Sequence, residues 1–158
     1  MTMDAAPSAI GLAEEESDAF VPAGDRVCVT IAGERFTARF LRDRAPETCA
    51  RFAELLPYRQ RLFHVRWSGE ACWIPLGGFQ FGVGFEDATS HPAPGEVILY
   101  PGGLSETEIL IAYGAVRFAS KAGQLAGNPF LKIEGKLDRL AEIGRSTLAN
   151  GACEVLFE

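Results

Sequence analysis

Along most of this chain apolar and polar residues alternate with a period of two, and only two segments take the wider spacing of a helix. Val27, Val29 and Ile31 alternate with Cys28 and Thr30. Phe36, Ala38 and Phe40 alternate again after Ala32-Gly33-Glu34-Arg35, so residues 26 to 41 predict a β-hairpin. Residues 43 to 57 predict a helix, with Asp43 as its cap, Pro46 in the first turn and Glu47 near the positive end of the dipole. Cys49, Phe52, Ala53 and Leu56 form its apolar stripe, and Pro57 stops it. Residues 62 to 67 predict a strand, with Phe63, Val65 and Trp67 on one face and His64, Arg66 and Ser68 on the other. Gly69 breaks the pattern and residues 70 to 76 resume it. Residues 77 to 84 hold four glycines among aromatic residues and predict a loop, as do residues 88 to 95.

Residues 94 to 114 form the organising stretch. Pro94-Gly95 opens it, Val97 to Tyr100 is apolar, Pro101-Gly102-Gly103 supplies a turn, and a second strand follows. Thr107, Ile109, Ile111 and Tyr113 share one face of that strand. Glu106, Glu108, Leu110 and Ala112 share the other, so two carboxylates project from one side of a mostly apolar strand. A core has no use for such a pair unless it is solvated or partnered. Beyond it, residues 115 to 119 predict a short strand, 121 to 129 a loop, 130 to 133 a strand, 135 to 150 a helix ended by Asn150-Gly151, and 153 to 157 a closing strand. Many short strands with two helices set between them predict a mainly β fold: a closed β-barrel with two helices covering the barrel ends.

Charge adds a boundary. Residues 1 to 25 carry six acids and no Lys or Arg, while the rest carries 15 acids and 15 bases. Residues 1 to 22 are therefore expected to be an acidic tail, and residues 23 to 158 the domain. A neutral domain without a basic stripe argues against a nucleic-acid partner. No apolar run approaches a membrane span, and the N-terminus lacks the basic and apolar blocks of a secretion signal. The four cysteines lie far apart, which fits reduced thiols, a cytoplasmic location and no zinc site. No motif implies a cofactor. The expected partner is a small molecule, and a homo-oligomer stays open.

The run from Phe40 to Leu55, with Asp43, Pro46-Glu47-Thr48 and Phe52, resembles the first helix of cyclophilins. The run from Phe130 to Phe157, with Glu134-Gly135 at a turn before the helix, follows the same course of strand, turn, helix and final strand. Trp67-Ser68-Gly69-Glu70, Tyr100-Pro101-Gly102-Gly103 and Ser105-Glu106-Thr107-Glu108 look instead like a bacterial family of unknown function with a cyclophilin-like fold. The resemblance implies the barrel but not the isomerase. Cyclophilins place a catalytic Arg directly after Phe-His, whereas here Val65 follows Phe63-His64 and Arg66 comes one residue late, a slip that only a bulge would correct. The apolar-strand Gln falls at Glu108, the pocket Phe at Leu110 and the pocket His near Pro129. These departures imply little or no activity on prolyl peptides.

The candidate site residues follow from chemistry. Arg66 offers a planar fork for a carboxylate or carbonyl. Glu106, Glu108 and His64 are the candidate acid–base groups. Glu70, Tyr100, Ser105, Leu110, Tyr113 and Asn128 complete the expected ligand-binding set, around a pocket between the paired strands at His64 to Glu70, the organising hairpin and the Gln124 to Asn128 loop. Trp67 and Trp73 are expected in the core rather than the site.

Overall fold

The computed structural model describes residues 25–158, so the expected acidic tail lies outside the described residues. Eight strands close into an antiparallel barrel: β1 (Arg26–Ile31), β2 (Glu34–Phe40), β3 (Tyr58–His64), β4 (Gly69–Gly77), β5 (Glu96–Tyr100), β6 (Thr107–Val116), β9 (Asn128–Glu134) and β10 (Cys153–Phe157). Their order around the barrel is β1-β10-β3-β4-β6-β5-β9-β2, and β7 (Ala119–Ser120) with β8 (Gly123–Gln124) forms a separate small hairpin. Helix α1 (Pro46–Leu55) follows β2, and α2 (Leu137–Asn150) follows β9. This is the mainly β closed barrel with two helices that the alternation predicts, and the cyclophilin-like course that the resemblance implies.

Alternation places the core. Val27, Val29, Ile31, Phe36 and Ala38 are buried together with Ile109, Ile111, Ile133 and Val155. Ala32 and Gly33 both hold positive φ (51° and 86°), the two-residue turn whose twist suits a hairpin, and Glu34 already pairs with Ile31. Phe52 of α1 packs among Tyr58, Phe130 and Phe157, with ring centroids 5.4, 4.9 and 5.2 Å away. Helix α2 buries Leu140, Ile143, Gly144 and Thr147 against β3, β4 and β6. Gly144 lies so close to the Tyr113 ring that a Cβ there would overlap it.

The helix starts differ from the sequence expectation. Asp43 does not cap α1. The Leu41 carbonyl accepts the N–H groups of Arg44 and Ala45, forming a turn that delays the helix to Pro46. The cap comes from a distant loop: Glu86 accepts the N–H groups of Glu47 and Thr48 at 2.9 and 2.8 Å and the Thr48 hydroxyl at 2.7 Å. Burial opposes the Glu86 charge, but these bonds outweigh it and hold the carboxyl below its ordinary range. Helix α2 starts at Leu137 because Gly135 and Lys136 take the left-handed conformation (φ 81° and 54°).

The strands differ too. The strand expected over residues 62 to 67 begins at Tyr58 and ends at His64. Val65 still donates its N–H to the Ala71 carbonyl, and then residues 66 to 68 bend away. Strand β6 continues through Val116, and Asn128 already belongs to β9.

Candidate functional site

Both faces of β6 are buried from Thr107 to Tyr113. Ile109, Ile111 and Tyr113 point into the main core, while Leu110 joins Ala71, Ile98, Tyr100, Phe118 and Leu125 in a second apolar cluster on the outer face of β4, β5 and β6. The excursion over residues 117–127 covers that cluster. It is pinned by Phe118 N–H to the Ser90 carbonyl at 2.7 Å and by the Ser90 hydroxyl to the Leu125 carbonyl at 2.7 Å.

Beside the covered cluster a cleft of about 400 Å³ opens, a size suited to a small molecule. Trp73 of β4 and Glu108 of β6 line it from the sheet. Val65, Arg66, Trp67 and Ser68 form one wall. Leu104, Ser105 and Glu106 form another, and residues 119–122, including Ser120 and Lys121, form the third.

Hydrogen bonds tie these walls to the barrel. The buried Ser68 hydroxyl donates to the Ala119 carbonyl at 3.1 Å and accepts the Ala119 N–H at 3.0 Å, which clamps the first wall to the third. The Tyr100 hydroxyl accepts the N–H groups of Leu104 and Ser105 at 2.9 and 3.3 Å and so shapes the second wall from below. Glu106 accepts the Gly77 N–H at 3.1 Å, which anchors that wall to the end of β4. Gly69 starts β4 with φ 101°, and a Cβ there would stand 2.7 Å from the Ala115 carbonyl oxygen, so only glycine lets the first wall fold back this closely.

The two carboxylates have separate environments. Glu106 is exposed and precedes β6. Glu108 is only 6% exposed, and its carboxyl makes no hydrogen bond or ion pair among the described residues. Burial, and secondarily the Glu106 charge, push its carboxyl up to about 8, so at neutral pH it holds its proton. The cations on the walls do not relieve it. Arg66 and Lys121 are exposed, and the Arg66 guanidinium lies over the Trp67 ring, 5.8 Å from its centroid. Among the described residues no three of His, Cys, Asp and Glu come together as a metal would require, and no helix is long and apolar enough to cross a membrane.

The profile of a family of proteins of unknown function, DUF3830, matches residues 27–158. The chain belongs to the DUF3830 family. No curated protein matches it by sequence. Among solved structures, the complex of McbB with tryptophan superposes at a TM-score of 0.63 with 17% identity, over 84% of this chain; the chain spans 44% of the McbB chain. The hypothetical protein AF2241 from Archaeoglobus fulgidus superposes at 0.57 with 17% identity, over 85% of this chain and 93% of that one. A cyclophilin-type peptidyl-prolyl cis-trans isomerase from Cryptosporidium parvum matches at 0.47 with 10% identity, over 76% and 83%.

In this DUF3830 chain the cleft gathers Arg66, Ser105, Glu106 and Glu108 from the expected set and leaves the others elsewhere. Glu70 faces away from the cleft lining and accepts the Ala115 N–H at 2.8 Å, holding β6 to the start of β4. Tyr100 and Leu110 are buried within the second cluster, at 4% and 0% exposure. His64 and Tyr113 pair on the α2 side. The His64 Nδ1–H donates to the Val65 carbonyl at 2.8 Å, so Nε2 accepts the Tyr113 O–H at 2.8 Å, and no lone pair is left for a base. Asn128 is fully buried beside α1, where its amide donates to Thr48 and to the Gly84 carbonyl, and its carbonyl accepts the Glu86 N–H. The third wall is residues 119–122, not the Gln124 to Asn128 loop. Trp67 and Trp73, expected in the core, line the cleft, and Trp67 is 53% exposed. The register could have revealed Trp73, which pairs with Leu110 and so shares the outer face with Glu108. Nothing local marks residues 119–122, because their place depends on docking across the sheet.

Proposed function

We propose that this protein binds a small polar molecule in the cleft between the β4–β6 sheet, the 65–68 turn and the 119–122 segment. The observation that carries this reading is Glu108: a buried carboxyl without a partner, opening onto a preformed cleft. Burying such a group costs free energy that no contact within the described residues returns, and such uncompensated groups cluster where a ligand completes them. The ligand has a hydrogen-bond-donating end for Glu108 and Glu106, an anionic end for the exposed Arg66, and a flat body for Trp67 and Trp73. McbB, a protein of the same fold, is known in complex with tryptophan, which accords with a ligand of amino-acid size.

The reading excludes efficient prolyl isomerisation. A twisted prolyl amide needs an open apolar floor and an Arg aimed at it. Leu110, where cyclophilins have the pocket Phe, is fully buried under Phe118 and Leu125, and Arg66 stands on a bend rather than a strand. A protease-coupled assay on X-Pro peptides is expected to show the uncatalysed rate.

The test is a thermal-shift screen of acids, amides, amines and amino acids. A ligand at about 100 times its dissociation constant adds roughly 2.7 kcal/mol of stability. A stabiliser whose affinity is unchanged in Arg66→Ala and Glu108→Gln would place binding elsewhere and end the reading. A second reading, acid–base catalysis, rests on the Glu108 carboxyl holding its proton to about 8 beside a solvated Glu106, two carboxylates whose environments differ. A pH–rate profile with an inflection near 8 that Glu108→Gln removes is its test.

A further inference from the structure

The charge arrangement of the cleft narrows the ligand. The donor-seeking group is deep and the cations are shallow: Glu108 is 6% exposed, whereas Arg66 and Lys121 are exposed at the rim. Salt and water screen rim charges strongly and buried ones weakly, so a cation paired with an ionised Glu108 is held more strongly than an anion paired with a rim cation. The other charged residues lining the cleft come from three segments. β4 contributes Trp73 and no charge. The loop before β6 contributes Glu106, the 65–68 turn Arg66, and the 119–122 segment Lys121. Tyr100, its β5 neighbour in register, has its hydroxyl oxygen accepting from Leu104 and Ser105. No donor reaches the Glu108 carboxyl, a second carboxylate stands nearby, and Trp73 borders the space together with Trp67, one ring face of which carries the Arg66 guanidinium. Paired carboxyls with aromatic faces are the chemistry of cation recognition.

We propose that the cleft takes an organic cation, a protonated amine, whose ammonium group replaces the acid proton of Glu108, so that one proton leaves to solvent as the ligand binds. This deepens the small-molecule reading and rests on it. The exchange balances: the amine enters as its ammonium ion, the Glu108 carboxylic acid becomes a carboxylate paired with it, and the freed proton goes to buffer. No covalent bond forms. Because the amine must displace a proton, its affinity follows pH with the sign of the acid: tighter as pH rises toward the point where Glu108 ionises unaided, then level until the ammonium ion itself loses its proton.

The experiment uses matched probes on the full chain: benzylamine and phenethylamine, the corresponding carboxylate 3-phenylpropionate, and the neutral 3-phenylpropanol. Calorimetry in buffers of different ionisation enthalpy counts protons. The expected result is close to one proton released per amine bound at pH 6.5. Affinity for phenethylamine should rise about tenfold per pH unit from 5.5 to 7.5 and level off near pH 8 to 9. Glu108→Gln should abolish the proton release and weaken the amine at least tenfold. The wild-type proton count stands as evidence without that variant. Amine binding with no proton release, or with an affinity flat between pH 5.5 and 7.5, overturns the proposal. Binding of 3-phenylpropionate or 3-phenylpropanol but of neither amine overturns it while leaving the small-molecule reading in place. Silence from all four probes and from the wider thermal-shift screen ends both.

Discussion

Replacing Glu108 by Gln keeps the shape of the protonated acid and removes its ability to ionise. In the unfolded chain this acid ionises near 4.5, whereas in the barrel it keeps its proton to about 8. Below pH 4.5 both states are protonated and the residue carries no pH-dependent cost. Between 4.5 and 8 only the unfolded chain gains by ionising, so the wild-type protein loses stability as pH rises through that window, and the loss levels off once the folded form ionises as well. Each pH unit of that window is worth about 1.4 kcal/mol, so the full cost is roughly 4–5 kcal/mol at pH 9. Urea unfolding of both proteins at intervals from pH 5 to 9 reads it directly, since the contributions of distant groups cancel in the difference. Glu108→Gln should match the wild type within about 1 kcal/mol at pH 5 and exceed it by several kcal/mol at pH 9, a gap of about 15 °C in Tm for a domain of this size. Parallel curves, with a difference that does not change across the range, would refute the premise that this carboxyl is buried without a partner.

Three further changes probe the supports of the site and the barrel. Glu86→Ala removes the distant cap of α1 and should cost about 1–2 kcal/mol by urea unfolding, with the deficit shrinking toward acid pH as the low-lying Glu86 carboxyl is protonated in the wild type too. Gly144→Ala drives a methyl into the Tyr113 ring and should cost about 1–3 kcal/mol, whereas the added helix propensity alone would stabilise, so the sign decides. Ser68→Ala leaves the Ala119 N–H without its acceptor and should speed hydrogen exchange at that amide while amides of β1 and β10 stay protected.

The barrel was legible because its information is local. Alternation along residues 26–31, 34–40 and 107–113 fixes which side chains enter the core, and a closed sheet follows from many such strands. The faces of β6 were legible for the same reason. What escaped was set by contacts between distant residues. Asp43 has the right chemistry for a cap, but Leu41 draws the preceding turn closed and Glu86 reaches the helix from 38 and 39 residues away. Asn128 carries no pattern distinguishing a ligand contact from a buried bridge between Thr48 and Gly84. The end of β3 at His64 reflects the clamp between Ser68 and Ala119, 51 residues apart. The glutamate pair looked like one feature in the sequence and proved to be two, because strand β6 begins between them.

The outer face of β4, β5 and β6 carries its own small core, sealed by residues 117–127 rather than by the barrel's interior. That separation makes the excursion an exchangeable part. A chain of this architecture can lengthen, shorten or replace that segment, and with it one side of the cleft, without disturbing a residue inside the barrel. Variation among relatives is therefore expected to concentrate there, and a graft of one relative's excursion onto another's barrel is the natural route to moving ligand preference between them.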